Sequence, residues 1–177
     1  MSKLVLTNIG CLVSGRLEEP LLEADTLQID AGRIERIGSH GEMDISNAQT
    51  IIDCQGTTVA PGLIDTHCHP VLGDFTPKQN AIGYLESMLH GGVTTAISAG
   101  EVHLPGRPTD PAGVKALAIL AAKAFANFRP GGIKVEGGAL ILEKGLTEQD
   151  FQEMAGEGVR LVGEIGLGSA KTAAEAG

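Results

Sequence analysis

Short hydrophobic runs, separated by polar and glycine-containing turns, fill the first sixty residues. Runs of this length and spacing are typical of β-strands in a small sandwich. We predict strands at residues 4–6, 11–13, 23–29, 34–38 and 50–53. Residues 30–33 (Asp-Ala-Gly-Arg) predict a turn in which Gly32 supplies the conformationally tolerant position.

After residue 60 the pattern changes to short apolar strands that alternate with longer amphipathic segments. The predicted strands are residues 62–66, 93–97, 133–135 and 159–162, and the predicted helices are about 80–89, 111–127 and a third that follows Thr147. Four such repeats indicate a parallel sheet with helical crossovers. A small, complete doubly wound sheet has the same periodicity and remains an alternative.

The predicted helices have recognisable caps and apolar faces. Asp110 before Pro111 predicts the start of the second helix, and Thr147 with Asp150 predicts a capping-box arrangement at the start of the third. The residues expected to face inward are Ile82, Leu85 and Leu89 in the first helix and Val114, Leu117, Leu120 and Phe125 in the second.

Composition narrows the classes of function. The 177 residues carry a net charge of −9 with no basic patch, which argues against binding to nucleic acid or anionic membranes. No apolar run reaches the roughly 18 residues of a membrane span, and the first residues do not resemble a signal peptide. The three scattered cysteines, Cys11, Cys54 and Cys68, form no disulfide framework. We therefore expect a cytoplasmic protein.

The candidate chemistry is concentrated at the end of the first strand after residue 60. Leu63 and Ile64 follow a Pro-Gly turn and predict a short buried strand that leads to His67 and His69. Alternate side chains of an extended chain point to the same side, so both imidazoles face one way and Cys68 faces the other. Two such imidazoles are half of a metal site. The simpler interpretation is a pair of ordinary polar surface histidines.

Four segments together resemble the amidohydrolase superfamily of metal-dependent hydrolases. They are residues 62–70 (GLIDTHCHP), 89–95 (LHGGVTT), 132–136 (GIKVE) and 162–164 (VGE). The resemblance implies an α/β fold: the first half of a (β/α)8 barrel, preceded by a small β-sandwich accessory domain. Residues 1–60 would be the N-terminal part of that domain, and residues 61–177 the first four βα units. A complete barrel needs about 250 residues, so we expect a truncated barrel.

The resemblance also implies a dinuclear metal site with zinc and iron. His67 and His69 would bind one metal, and Glu164 would bridge both metals where many relatives use a carboxylated lysine. Lys134, if it were buried and neutral, is a competing bridge, although a paired or snorkelling lysine in the barrel wall is its simpler interpretation; for Glu136, two residues later on the same face, the simpler interpretation is an ion pair with a neighbour. Asp65, His103 and Lys134 are candidates for supporting a ligand or contacting substrate. The family's two further histidines and its acid–base aspartate are not expected within this chain.

The function implied is hydrolysis of a C–N bond in a cyclic amide by metal-activated hydroxide. Among superfamily members, the likeness is greatest to those that open a cyclic enamide in nicotinate degradation, converting 6-oxo-1,4,5,6-tetrahydronicotinate to 2-formylglutarate and ammonia. A homotetramer is implied as well. The alternatives are another cyclic amidase of the dihydroorotase or hydantoinase type, a non-catalytic truncated fragment, and two chains that pair to close one barrel.

Overall fold

A computed structural model of the protein describes residues 3–70, 81–100, 106–163 and 166–176. The chain divides into two compact units, Met1–Pro61 and Gly62–Gly177. Within the described ranges, no helix is long and apolar enough to cross a membrane. None of the three cysteines forms a disulfide bond; Cys68 is buried and the other two are half-buried.

The first unit consists of short strands arranged in two sheets. Its strands are β1 (Leu4–Thr7), β2 (Cys11–Val13), β3 (Leu21–Leu22), β4 (Thr26–Asp30), β5 (Arg33–Gly38), β6 (Thr50–Asp53) and β7 (Thr58–Val59). One sheet has the order β5-β4-β1-β6 and the other has the order β3-β2-β7. Ile9, Leu12 and Leu27 form the buried cluster of this unit.

The strand predicted at residues 23–29 is wrong in its first half. Strand β4 begins only at Thr26, because the chain turns at Asp25, whose carboxylate accepts hydrogen bonds from the Thr26 hydroxyl (2.8 Å) and the His40 backbone N–H (2.7 Å). The turn between β4 and β5 is confirmed. Ala31 and Gly32 both have positive φ angles, 51° and 75°, as the favoured two-residue hairpin turn requires.

The second unit alternates parallel strands with helices. Its elements are β8 (Leu63–Cys68), α1 (Ala81–His90), β9 (Val93–Ser98), α2 (Pro111–Asn127), β10 (Lys134–Glu136), α3 (Glu148–Gly156) and α4 (Ala173–Ala176). The described strands form one parallel sheet with the order β10-β9-β8. A core beneath it contains Cys68, Leu85, Ala96, Phe125, Ile133 and Val135.

Both predicted helix caps are present. The Asp110 side chain accepts a hydrogen bond from the Gly113 backbone N–H at 2.9 Å, and Thr147 with Asp150 forms a complete capping box. The predicted inward face of α2 is partly wrong, because Leu120, which was expected to be buried, is 58% exposed. The face that packs against the core is instead Val114, Ala118, Ala121 and Phe125. The side chain of Ile82 lies outside the described residues.

Two predictions about strands in this unit are wrong. Leu63 and Ile64 are each 60% exposed, because β8 is an edge strand that pairs only with β9 among the described strands. The fourth strand, predicted at residues 159–162, is reduced to a single parallel bridge between Leu140 and Val162. Strand β10 ends at Glu136, and Gly138 with φ 87° redirects the chain before a longer ladder can form.

Candidate metal centre

His67 and His69 lie at the carboxyl end of β8 with their rings close together. The ring centroids are 5.2 Å apart and the ring planes are inclined by 82°. Cys68 between them is 3% exposed and belongs to the core, with its sulfur 3.3 Å from the Ile97 carbonyl oxygen. The strand geometry therefore separates the residues as predicted, with the thiol inside and the two imidazoles on the other side.

The spacing of the two rings suits a shared metal ion. Two imidazoles bound to one tetrahedral zinc at about 2.0–2.1 Å place their ring centroids about 5 Å apart. An edge-to-face contact between aromatic rings has a similar separation. The geometry is thus compatible with a cation between the rings without requiring one.

The backbone after β9 holds His69 in one orientation. Nδ1 of His69 lies 3.2 Å from the carbonyl oxygen of Gly100. A carbonyl oxygen only accepts hydrogen bonds, so Nδ1 carries the proton, and the lone pair of a neutral ring is on Nε2. Buried Ser98 supports this arrangement, because its hydroxyl oxygen accepts the Gly100 backbone N–H at 3.0 Å. A metal-binding histidine commonly has its second nitrogen held in this way.

Asp65 and Tyr84 lie close to the histidine segment. Oδ1 of Asp65 accepts a hydrogen bond from the backbone N–H of His67 at 2.9 Å. Burial raises the pKa of the Tyr84 phenol, the nearby Cys68 and Asp65 raise it further, and the backbone N–H of His69 opposes the shift. Sequence reasoning did not single out Tyr84, although it is the only tyrosine and is located on the helix that follows the histidines.

Lys134 lies away from the histidines along the sheet. It is the first residue of β10 and pairs in register with Thr95, which pairs with Ile64. His67 is three residues beyond Ile64, about 10 Å at 3.3 Å per residue. Lys134 is 47% exposed and forms an ion pair with Glu136, which confirms the simpler interpretation of both residues. The burial that a neutral, carboxylated lysine requires is absent.

Glu164 and His103 lie outside the described residues, so their roles stay predictions. The residue before Glu164 is described. The Gly163 N–H donates to the Leu140 carbonyl oxygen at 2.6 Å, and a Cβ built on Gly163 would lie 2.4 Å from the Ala99 carbonyl oxygen. Gly163 therefore packs against the residue next to Gly100, whose carbonyl contacts His69.

Within the described ranges, no three His, Cys, Asp or Glu side chains form a group that could hold a metal ion. The described part of the centre is therefore a pair of imidazoles. The predicted third ligand, Glu164, lies outside the described residues.

No family model matches the chain, but individual proteins of known function are similar to it. The chain is 54% identical to enamidase of Eubacterium barkeri over 176 residues, which are 99% of this chain and 46% of that protein. It is 33% identical over 108 residues to an imidazolonepropionase of Bacillus cytotoxicus, covering 52% of this chain and 26% of that protein. It is 31% identical over 150 residues to adenine deaminase 2 of Shouchella clausii, covering 80% and 24%.

Solved structures agree with the sequence matches. The crystal structure of enamidase, described as a member of the amidohydrolase superfamily, matches with a TM-score of 0.88 and 52% identity over 98% of this chain and 45% of that chain. A mutant atrazine chlorohydrolase from Arthrobacter aurescens, complexed with zinc and atraton, matches with a TM-score of 0.51 and 20% identity over 75% and 34%, which concerns the fold alone. The chain spans less than half the length of each of these relatives.

Proposed function

We propose, from the premise that this chain belongs to the amidohydrolase superfamily, that it is the metal-binding part of a hydrolase that cleaves the C–N bond of a cyclic amide. The likeness to enamidase, which extends over nearly the whole chain, supports 6-oxo-1,4,5,6-tetrahydronicotinate as the substrate. The products would be 2-formylglutarate and ammonia, within nicotinate degradation. The cytoplasmic location stays a prediction.

The second unit would form the first half of a (β/α)8 barrel, and the first unit would form part of a β-sandwich accessory domain. The parallel order of β8, β9 and β10, with helices between them, supports the barrel. Barrel enzymes place their catalytic groups at the carboxyl ends of the strands, which is where His67 and His69 lie.

The residues present fit one side of a dinuclear centre. His67 and His69 would bind one metal, and Glu164 would bridge to the second with its two carboxylate oxygens. Zinc suits nitrogen and carboxylate ligands, and iron is proposed for the second position from the resemblance. Gly163 supports the role of Glu164, since it brings the preceding backbone against the segment that contacts His69.

When bound, the metals would activate a water molecule and polarise the scissile carbonyl group. The chain itself would contribute orientation. The Gly100 carbonyl keeps the proton of His69 on Nδ1, so that Nε2 points its lone pair outward from that contact. Asp65 holds the backbone at His67, which limits movement of the first ligand. The described residues include no assigned acid–base group for the departing nitrogen.

The single observation that carries this proposal is the pair of rings 5.2 Å apart, one of them with Nδ1 held by a backbone carbonyl. The test is to measure zinc and iron per chain and hydrolysis of the cyclic enamide by the 177-residue protein. At least one metal per chain together with ammonia release supports the proposal. A chain that binds less than one metal and releases no ammonia contradicts it.

A second candidate is a non-catalytic, metal-binding fragment of such an enzyme. It is favoured because the described residues include the two imidazoles but no assigned acid–base group, and the chain covers 46% of enamidase. Metal binding without turnover of the enamide, a hydantoin or a dihydroorotate would identify it, whereas turnover of either of the last two would indicate another cyclic amidase.

The oligomeric state is proposed separately. The exposed Leu63 and Ile64 on the β8 edge leave room for a second chain. The molecular mass in solution would distinguish a monomer, two chains that close one barrel, and the proposed homotetramer.

A further inference from the structure

Glu143 is a buried carboxylate that the proposed chemistry does not use. Its side chain is 1% exposed, with Oε1 2.7 Å from Nη2 of Arg107 and Oε2 accepting the Ser169 backbone N–H at 2.7 Å. Burial raises the pKa of Glu143, but the Ser169 hydrogen bonds and the Arg107 guanidinium outweigh it and hold the pKa below its ordinary value. A buried carboxylate is costly unless it is paired, so the three residues depend on one another.

Each of these three residues lies on a different loop that leads into a helix. Arg107 lies between β9 and α2, Glu143 lies between β10 and α3, and Ser169 lies between Val162 and α4. In a parallel sheet the loops that follow the strands lie at the carboxyl edge, the edge at which β8 ends with the histidines. Glu143 therefore joins three successive loops at the edge of the candidate metal centre.

The third of these loops is held at both ends by residues 140–144. At its start, the Leu140 N–H donates to Leu161 at 3.1 Å and Gly163 donates back to Leu140 at 2.6 Å. At its end, Ser169 donates to Glu143, and the Ser169 hydroxyl oxygen accepts the Lys144 N–H at 2.7 Å.

The contact leaves no room for a side chain within the loop. A Cβ built on Gly168 would lie 2.0 Å from the Leu142 carbonyl oxygen, so the loop backbone packs directly on residues 140–144. Residue 164 lies in the sequence between the two attachments.

We propose that Glu143 is a positioning residue that anchors residues 166–170, the described end of the loop between Val162 and α4, and that zinc binding depends on this anchor. This inference rests on the proposed role of Glu164 as a bridging ligand. Arg107 forms an ion pair with Oε1 of Glu143, and Oε2 of the same carboxylate binds the loop through the Ser169 N–H.

The test compares Glu143→Gln with Glu157→Gln in the 177-residue chain. Glu157 makes the same kind of contact, 2.7 Å from Nζ of Lys123, but that pair is more than half exposed. Amide hydrogen exchange of metal-free protein should be at least tenfold faster at residues 166–170 in Glu143→Gln, with α1 and β8 unchanged, and it should be unaffected by Glu157→Gln. Zinc affinity should fall about tenfold in Glu143→Gln, as when the groups that orient ligands are removed.

Glu164→Gln separates this inference from the proposed function. If Glu164→Gln leaves zinc affinity unchanged, the bridging role fails whatever Glu143 does. If Glu164→Gln weakens zinc binding while Glu143→Gln changes neither exchange nor affinity, the positioning role is overturned. If Glu143→Gln unfolds the chain, Arg107→Lys is used in its place to test the inference. This substitution keeps the positive charge but loses the planar guanidinium group and its paired N–H donors. Faster exchange confined to residues 166–170 supports the inference, and unchanged exchange there overturns it.

Discussion

Nδ1 of His69 lies 3.2 Å from the carbonyl oxygen of Gly100, a residue 31 positions further along the chain. The contact joins the end of β8 to the end of β9 and determines which ring nitrogen is available to a metal. The Ala99 N–H donates to the Cys68 carbonyl oxygen at 2.9 Å in the same place, so the two strand ends form one connected unit. The predictions below begin from this unit.

Ser98→Ala should weaken zinc binding by about tenfold, the lower end of the range for changes to groups that orient ligands. Without the Ser98 hydroxyl oxygen, the Gly100 N–H loses its acceptor, and the carbonyl of the same residue is free to turn away from His69. Nitrogen NMR of the imidazoles should show a mixture of His69 tautomers in place of the single Nδ1–H form. Thr95→Val, which removes a hydroxyl group from the same strand, is the control. A single unchanged tautomer in Ser98→Ala would refute the mechanism.

His67→Ala should reduce zinc affinity by at least about 100-fold, because losing a ligand costs more than losing a group that orients one. Chelator competition and metal content after dialysis measure this directly. His90→Ala is the matched control, since His90 is an exposed residue in the last turn of α1. Equal metal content in both variants would remove His67 from the centre.

Gly163→Ala should destabilise the chain by about 1–3 kcal/mol, the usual cost of overpacking. Its new methyl group would meet two backbone oxygens, of Ala99 at 2.4 Å and Leu140 at 3.1 Å, neither of which can rotate away as a side chain can. Urea unfolding gives the change in free energy.

Gly156→Ala is the control for that substitution, because Gly156 ends α3 with nothing within 4 Å of a built Cβ. It should be neutral or stabilising by about 0.5 kcal/mol, since alanine is the better helix former. If the two glycine variants unfold at the same urea concentration, Gly163 is not tightly packed.

Acid should weaken the link between α2 and α3. The Lys115 ammonium, 2.7 Å from Oδ1 of Asp150, together with hydrogen bonds from Thr147, lowers the pKa of Asp150 from 3.8 to about 2. Because the folded-state pKa is the lower one, this contribution to stability is complete above about pH 4 and is lost as the pH falls towards 2.

Asp150→Asn should therefore be less stable than the parent at pH 7, and the difference should shrink to nothing near pH 2. Thermal unfolding across this range, with Glu148→Gln as a control for removing a carboxylate from the same turn, measures it. A difference that is constant with pH would show that the Asp150 charge is not responsible.

Features that depend on neighbours along the chain were predictable from the sequence. The caps at Asp110 and Thr147 act within three residues, and the opposite orientations of Cys68 and the flanking histidines follow from strand alternation. The ion pair of Lys134 with Glu136 is equally local. Such features need only the backbone conformation of one element.

Features that depend on the position of a whole element were not predictable in this way. Leu63 and Ile64 are as apolar as core residues, yet they are exposed because β8 lies at the edge of its sheet. The segment around Val162 is as apolar as a strand, but only one bridge to Leu140 forms.

The sequence by itself determined the alternation of strands and helices, the helix caps and the side of β8 on which the imidazoles lie, because each depends on residues a few positions apart. The tertiary structure alone decided that a Gly100 carbonyl holds His69, and that Arg107, Glu143 and Ser169 meet at one buried carboxylate. These contacts join loops that are distant in sequence. Two of them use a backbone carbonyl or N–H group, which nearly every residue carries, so the residue types do not indicate where such a contact forms.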